Sequence, residues 1–119
     1  MTKASLEKYC LSKHGAVKEY PFDKMTAVYK VGGKMFALSS DSAAELRINL
    51  KCDPLYAAEL RSIYACVEPG YHMNKRHWNT VVCNQEADDR LVQEWIDDSY
   101  DLVFASLPKK LQHEIKARV

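Results

Sequence analysis

The Gly32-Gly33 pair is the feature that most restricts how this chain of 119 residues can fold. Two strand-like runs, 26–31 and 34–39, flank the pair directly. Glycine at both positions allows the positive φ angles that a two-residue turn between antiparallel strands requires. The sequence therefore predicts a β-hairpin here. The pair is not a phosphate-binding loop, because no helix follows it.

A further strand is predicted over 45–51, where apolar and polar residues alternate. Leu46, Ile48 and Leu50 would face a core, since a period of two is typical of a strand with one wet face. The wet face would then carry Glu45, Arg47, Asn49 and Lys51. Shorter strands are expected over 18–22 and 77–83.

Helical periodicity and capping signals predict a first helix over 3–14 and a second from Asp53-Pro54 to Val67. A third is predicted over 88–106, and a short basic helix after Pro108. This order indicates an α+β fold with a single domain over 1–119. We expect a two-layer sandwich in which helices cover one face of an antiparallel sheet of about five strands.

Composition excludes several classes of protein. Hydrophobic residues make up 47% and charged residues 28%, which is typical of a globular domain. No apolar run approaches the roughly 18 residues of a membrane span. The N-terminal residues lack a signal-peptide core, so we expect a cytoplasmic protein. The four cysteines form no C-x-x-C pair, and we expect separate buried thiols.

The formal net charge of +1 conceals an uneven distribution. Residues 24–52 carry five Lys or Arg against two acids, and 69–83 carry two against none. Residues 84–101 carry seven acids against one Arg. A basic sheet face opposite an acidic helical layer would suit a polyanion. The alternative is that these charges only solvate the outer surfaces.

The segment 69–80 has the densest mixture of cations, amides and aromatic residues. Lys75 and Arg76 can contact phosphate oxygens, and Arg76 can do so in a bidentate manner. Tyr71 and Trp78 can stack on unpaired bases. Alternatively, Trp78 begins the last strand and fills the core, which is the usual place for a large aromatic residue.

The sequence contains no convincing metal or catalytic site. Two Cys and two His residues are the candidate zinc ligands, namely Cys66, His72, His77 and Cys83. Their spacing matches no familiar zinc finger. Asp97 and Asp101 share a helix face, but no His or Cys accompanies them at ligand spacing, which favours a solvated face. No Ser-His-Asp order, P-loop or dinucleotide motif occurs. We therefore expect a protein that is not an enzyme and uses no cofactor.

The chain resembles the MmcQ/YjbR family of small bacterial proteins along nearly its full length. Five ordered stretches carry the resemblance, namely Gly15–Phe22, Lys30–Ala37, Asn49–Pro54, Pro69–Val81 and Asp97–Val103. The resemblance implies a CyaY-like, or frataxin-like, sandwich. It also implies DNA binding through a double-wing arrangement of the sheet.

We therefore expect a monomeric DNA-binding protein that works through a basic sheet face and the 71–77 loop. The predicted contact residues are Lys34, Arg47, Asn49, Lys51, His72, Asn74, Lys75, Arg76 and His77. An alternative is a module that binds a protein or a small ligand and has no nucleic-acid role. A third possibility, suggested by the frataxin-like fold, is iron binding at Asp97, Asp98 and Asp101.

Overall fold

A computed structural model describes residues 1–41, 44–70, 73–84 and 87–117. These residues form four helices, which are α1 (Lys3–Leu11), α2 (Pro54–Ile63), α3 (Asp89–Ala105) and α4 (Lys109–Ala117). They also form six strands, which are β1 (Val17–Glu19), β2 (Thr26–Val31), β3 (Lys34–Ser40), β4 (Arg47–Lys51), β5 (Val67–Pro69) and β6 (Trp78–Val82). None of these helices has both the length and the apolar character that crossing a bilayer demands. The predicted α+β class is confirmed.

The strands form one antiparallel sheet in the order β1-β2-β3-β4-β6-β5. Gly32 and Gly33 have φ angles of 57° and 81°, so the predicted hairpin turn is present. The ladder between β2 and β3 contains a bulge. Tyr29 pairs with Ala37 and the next residue pairs with Met35, which leaves Phe36 as an extra residue on β3. The bulge allows both Phe36 and Ala37 to join the same core.

Side-chain caps start three of the helices where the sequence predicts them. The Thr2 hydroxyl accepts a hydrogen bond from the Ser5 amide at the start of α1. The Asp53 carboxylate accepts from first-turn amides of α2, and Pro54 occupies the first helical position. Asp88 caps α3 in the same way. Each cap satisfies backbone donors that the helix itself cannot.

The main core lies between the helices and one face of the sheet. Its largest fully buried side chains include Phe36 and Ile48 from the sheet, with Leu6, Ile96 and Val103 from α1 and α3. Burial of aliphatic and aromatic side chains of this size stabilises by roughly 1.5–3 kcal/mol each. This layer fixes which sheet face remains for other contacts, called the open face below.

A second apolar cluster lies on the open face. Val28, Leu38 and Trp78 form its buried part, and Met35 and Met73 pack against them. Trp78 begins β6 and is buried, as its size predicts, but it is not part of the helix-side core. The open face is therefore partly apolar rather than a uniformly basic surface.

The sheet has one strand more than predicted. Helix α2 ends at Ile63, and Tyr64 already has extended backbone with φ −111° and ψ 118°. The expected continuation of the helix to Val67 is wrong, because Val67 starts β5 and pairs with β6. Pro69 is tolerated there because β5 is an edge strand. Strand β1 is also shorter than predicted and ends before Pro21.

Candidate nucleic-acid interface

The antiparallel register gathers basic residues at the end of the sheet that carries the Gly32-Gly33 turn, which we call the hairpin end. Lys34 begins β3 at this end. Lys51, the last residue of β4, pairs with Trp78, the first residue of β6. The 73–77 loop that precedes β6 therefore lies at the hairpin end as well.

Arg61 of α2 anchors this loop. Its Nε donates a hydrogen bond to Asn79 Oδ1 at 2.6 Å. Its Nη2 donates to the backbone carbonyls of Lys75 and of Trp78, the latter at 3.4 Å. A guanidinium with several donors in a fixed plane is well suited to tie adjacent backbone groups together. Arg61 thus joins α2, the loop and β6.

Asn74 shapes the loop from within. Its backbone carbonyl accepts from the amides of His77 and Trp78, and its Oδ1 accepts from the amide of Arg76 at 3.0 Å. The His77 carbonyl in turn accepts from the Cys52 amide at 2.7 Å, which ties the loop to the end of β4. Asn74 is therefore engaged as a turn residue, as Asn commonly is.

Four cations at the hairpin end form what we call the basic patch, namely Lys34, Lys51, Lys75 and Arg76. Within the described parts of the chain, none of the four takes part in an ion pair. Lys34 Nζ lies 3.4 Å from the Ser106 hydroxyl oxygen. Lys75 and Arg76 are exposed. Their charges are available to an anionic partner.

Arg47 lies at the opposite end of β4 from Lys51 and outside the basic patch. Its guanidinium is 3.2 Å from Glu68 Oε1 and 3.4 Å from Glu45 Oε1. Two carboxylates offset its charge, so the structure separates this predicted contact residue from the other cations. His72, another predicted contact residue, falls outside the described residues.

Asn49 lies on the open face of β4 between Arg47 and Lys51, as the alternation predicts. Its Oδ1 accepts a hydrogen bond from the Thr80 hydroxyl at 2.6 Å across the β4–β6 pair. This contact fixes the orientation of the amide.

Sequence reasoning missed Arg61, although one signal was present: it is the only cation between residues 53 and 68, beside an apolar helix stripe.

Several acidic residues of α3 and the start of α2 lie on the helix side, in partial agreement with the predicted charge asymmetry, whereas Glu45 and Glu68 pair with Arg47 and Asp23 lines the open face. A groove of about 510 Å³ between α2 and α3 is lined by Asp53, Asp98 and Asp101 together with Tyr56 and Leu102. The described residues contain no group of three or more His, Cys, Asp or Glu arranged to hold a metal ion. His72, one of the four candidate zinc ligands considered from the sequence, lies outside those residues.

Asp97 joins α3 to α1 instead of facing solvent freely. Its Oδ1 accepts a hydrogen bond from the Tyr9 hydroxyl at 2.7 Å and forms an ion pair with Lys13. Burial, with a contribution from Asp97, raises the pKa of Tyr9 to about 12. Asp97 therefore has a structural role that its neighbour Asp98 does not share.

Asp98 offers a test of this difference. Burial, and then Glu94, Asp101 and Asp97, raise the pKa of the Asp98 carboxyl above its usual value. A raised acid pKa penalises the charged form in the folded state. We expect Asp98→Asn to increase the free energy of unfolding at pH 7 by about 0.5 kcal/mol. Urea denaturation at several pH values measures this.

The gain should shrink as the pH falls through the raised pKa and vanish below about 3.8, the ordinary value, where Asp98 is protonated in both states. Asp97→Asn is the matched control. It should destabilise the protein, because Asp97 loses its contacts with Tyr9 and Lys13. A loss of stability on Asp98→Asn at neutral pH would contradict this account.

The four cysteines behave as small apolar residues. None of the four forms a disulfide bond; Cys10, Cys52 and Cys66 are buried and Cys83 is half-buried. Burial raises the pKa of the Cys10 thiol to about 12 and those of Cys52 and Cys83 to about 11. These three thiols remain protonated at neutral pH and are poor nucleophiles. The expected separate buried thiols are confirmed for Cys10, Cys52 and Cys66, whereas Cys83 is partly exposed.

Comparison with known proteins supports the family resemblance. The sequence model of the YjbR family matches residues 11–102. The chain is 40% identical to the uncharacterised protein YbdF of Escherichia coli O157:H7 over 97 residues, covering 82% of this chain and 80% of that protein. It is 31% identical to the uncharacterised protein YjbR of Escherichia coli K12 over 110 residues, covering 92% and 93%.

The fold is shared with solved structures. The crystal structure of Deinococcus radiodurans protein DR2400 has a TM-score of 0.91 and 34% identity, covering 97% of this chain and 88% of that one. A Pseudomonas syringae protein has a TM-score of 0.75 and 26% identity, covering 87% and 99%. Sequence match and fold agree, and the chain belongs to the YjbR family.

Proposed function

We propose that this protein binds DNA, without catalysis, through the basic patch at the hairpin end. The observation that carries the proposal is the contrast between the cations at the two ends of β4. Lys51 and its neighbours in the patch have no carboxylate partner within the described residues, whereas Arg47 has two. Lys and Arg side chains without a carboxylate partner are the groups that bind the phosphates of DNA.

The local structure favours such a role for Lys75 and Arg76. Arg61 and Asn74 hold the backbone of this loop with hydrogen bonds. The loop is therefore ordered before binding, and DNA binding does not have to supply the entropy cost of ordering it. The acidic groove lies on the helix side, and its field would orient the patch toward a polyanion. We further propose that the protein is a cytoplasmic monomer.

Binding through four cations should be modest and depend strongly on salt. Each neutralised phosphate releases about 0.7–0.9 counterions, so log Kd should change with log salt with a slope of roughly 3–4. We expect little sequence specificity, since phosphate contacts carry no base information. Fluorescence anisotropy with labelled DNA at several salt concentrations measures both quantities.

Arg76→Gln tests the patch. It should weaken binding about 5-fold and lower the salt slope by about one, because one phosphate contact is lost. Arg90→Gln is the matched control: it removes the same charge from the first turn of α3, about 24 Å along the helix from the Ser106 end that Lys34 contacts. Its affinity should stay within about 2-fold of the original. Equal losses in the two variants, or no binding at low salt, would overturn the proposal.

A further inference from the structure

A cleft of about 470 Å³ lies on the open face beside the basic patch. Its apolar lining comes from Phe22, Met35, Leu38 and Met73. Its polar lining comes from Asp23, Thr26, Ser39, Ser40 and Asn49. Pockets of roughly 300–1,000 Å³ are typical for small organic groups. The cleft is distinct from the groove between α2 and α3, which has different lining residues.

The apolar part of the cleft suits a flat ring, and the polar residues around it suit the ring's polar edge. Met35 and Met73 pack against the Val28, Leu38 and Trp78 cluster, and their thioether side chains adapt to planar rings. Asn49 adds one directed polar group. Thr80 occupies its Oδ1, and among the described residues Nδ2 has no acceptor, so the amide can donate a hydrogen bond to an occupant.

Phe22 lines the cleft with its side chain 65% exposed, more than any other aromatic side chain in the described ranges. The turn that follows it is fixed, because Asp23 accepts hydrogen bonds from the amides of Met25 and Thr26 at 2.8 and 2.7 Å. An exposed aromatic ring on a fixed turn is a stacking platform for an unpaired base.

The cleft and the basic patch adjoin each other along two chain segments. Met73 precedes Lys75 by two residues in the loop before β6. Lys34 lies at the rim of the patch on the helix side, because its Nζ reaches Ser106 at the end of α3. On β4, Asn49 and Lys51 project from the same face, about 7 Å apart along the strand. A strand of nucleic acid whose phosphates lie on the patch would therefore bring a base to the cleft.

We propose that the cleft accepts an unstacked nucleobase, and that the preferred ligand is single-stranded nucleic acid. This inference rests on the proposed binding of DNA at the basic patch. The cations favour this occupant over an apolar peptide or lipid, because the cleft is bordered by groups that bind phosphate. In a duplex the bases are stacked and paired, and reaching the cleft would cost their unstacking.

Two measurements test the inference on the intact chain. Anisotropy compares one labelled mixed-sequence single strand with the duplex formed by the same strand, at low salt. In parallel, the methyl groups of the four methionines are labelled with ¹³C and followed by NMR during each titration. We expect tighter binding of the single strand, with shifts at Met35 and Met73. Met1, which packs at the start of α1, is the internal reference.

Phe22→Ala should lower the affinity for the single strand about 5-fold or more and leave the affinity for the duplex within about 2-fold. Leu55→Ala is the matched control, because Leu55 is 85% exposed on α2, away from the cleft. Its affinities should not change.

Equal binding of both ligands, with Met35 and Met73 unshifted, would overturn this inference while leaving the proposed phosphate contacts in place. Absence of binding to either ligand at low salt would overturn both proposals.

Discussion

Replacing Ser99 by alanine is expected to lower the free energy of unfolding by about 2–4 kcal/mol. Ser99 is fully buried in α3, and its hydroxyl connects the helix to two strands. It donates to the Phe36 carbonyl at 2.6 Å and accepts from the Lys51 amide at 2.8 Å. Alanine would leave both backbone groups without this partner, the Phe36 carbonyl in a buried contact and the Lys51 amide in a partly buried one. Chemical denaturation measures the loss.

Ser62→Ala provides the comparison. Ser62 is exposed on α2, and its hydroxyl donates only to the Glu59 carbonyl of its own helix. The same substitution should change stability by no more than about 0.5 kcal/mol there. Similar losses in the two variants would show that the Ser99 contacts do not hold α3 on the sheet.

The second large effect is expected at the hairpin turn. Gly32 has a φ of 57°, and a Cβ at this position would lie 2.7 Å from Leu107 Cδ1 and 3.1 Å from Leu111 Cδ2. Leu107 is buried and has little room to move. Gly32→Ala combines backbone strain with overpacking against the segment around α4. We expect it to cost about 2–4 kcal/mol.

Gly33→Ala separates the two causes. Gly33 has a φ of 81°, so alanine is strained there as well, but nothing lies within 4 Å of its added Cβ. Its cost should be about 1–2 kcal/mol, from the backbone alone. If both variants lose the same stability in urea, the contacts between the turn and the leucines contribute nothing measurable.

Features that depend on neighbouring residues in the chain could be predicted from the sequence. The turn follows from Gly32-Gly33, the start of α2 from Asp53-Pro54, and the core side of β4 from its alternation. Each depends on backbone conformation or on side chains within a few positions. Local signals of this kind favour the same backbone conformation in the unfolded chain and in the folded protein.

Features that depend on pairing between distant segments of the chain could not be predicted from the sequence. β5 has only three residues, and its ladder with β6 is what makes it a strand, so the sequence wrongly predicts the end of a helix at its apolar start. This error had a consequence for the site. Glu68, the partner of Arg47, lies on β5, and a count of charges along the sequence cannot show that the two meet.

The alternation of residues in β6 does not predict what packs against Trp78. A period of two assigns Trp78 to a face but does not say what covers that face. The second apolar cluster forms because residues from β2, β3 and the 73–77 loop converge over the open face. The cleft beside it is likewise a product of three separated segments, and no single stretch of sequence signals it.

The two borders of the sheet bear on how the protein behaves at high concentration. The outermost strands, β1 and β5, have three residues each, and prolines stand at or just beyond their ends. An intruding strand would find few free backbone amides and carbonyls on which to build a continuous ladder. Short edges interrupted by proline protect proteins against intermolecular β-aggregation. A chain with such borders is expected to resist fibril growth and to tolerate the concentrations that NMR titrations require.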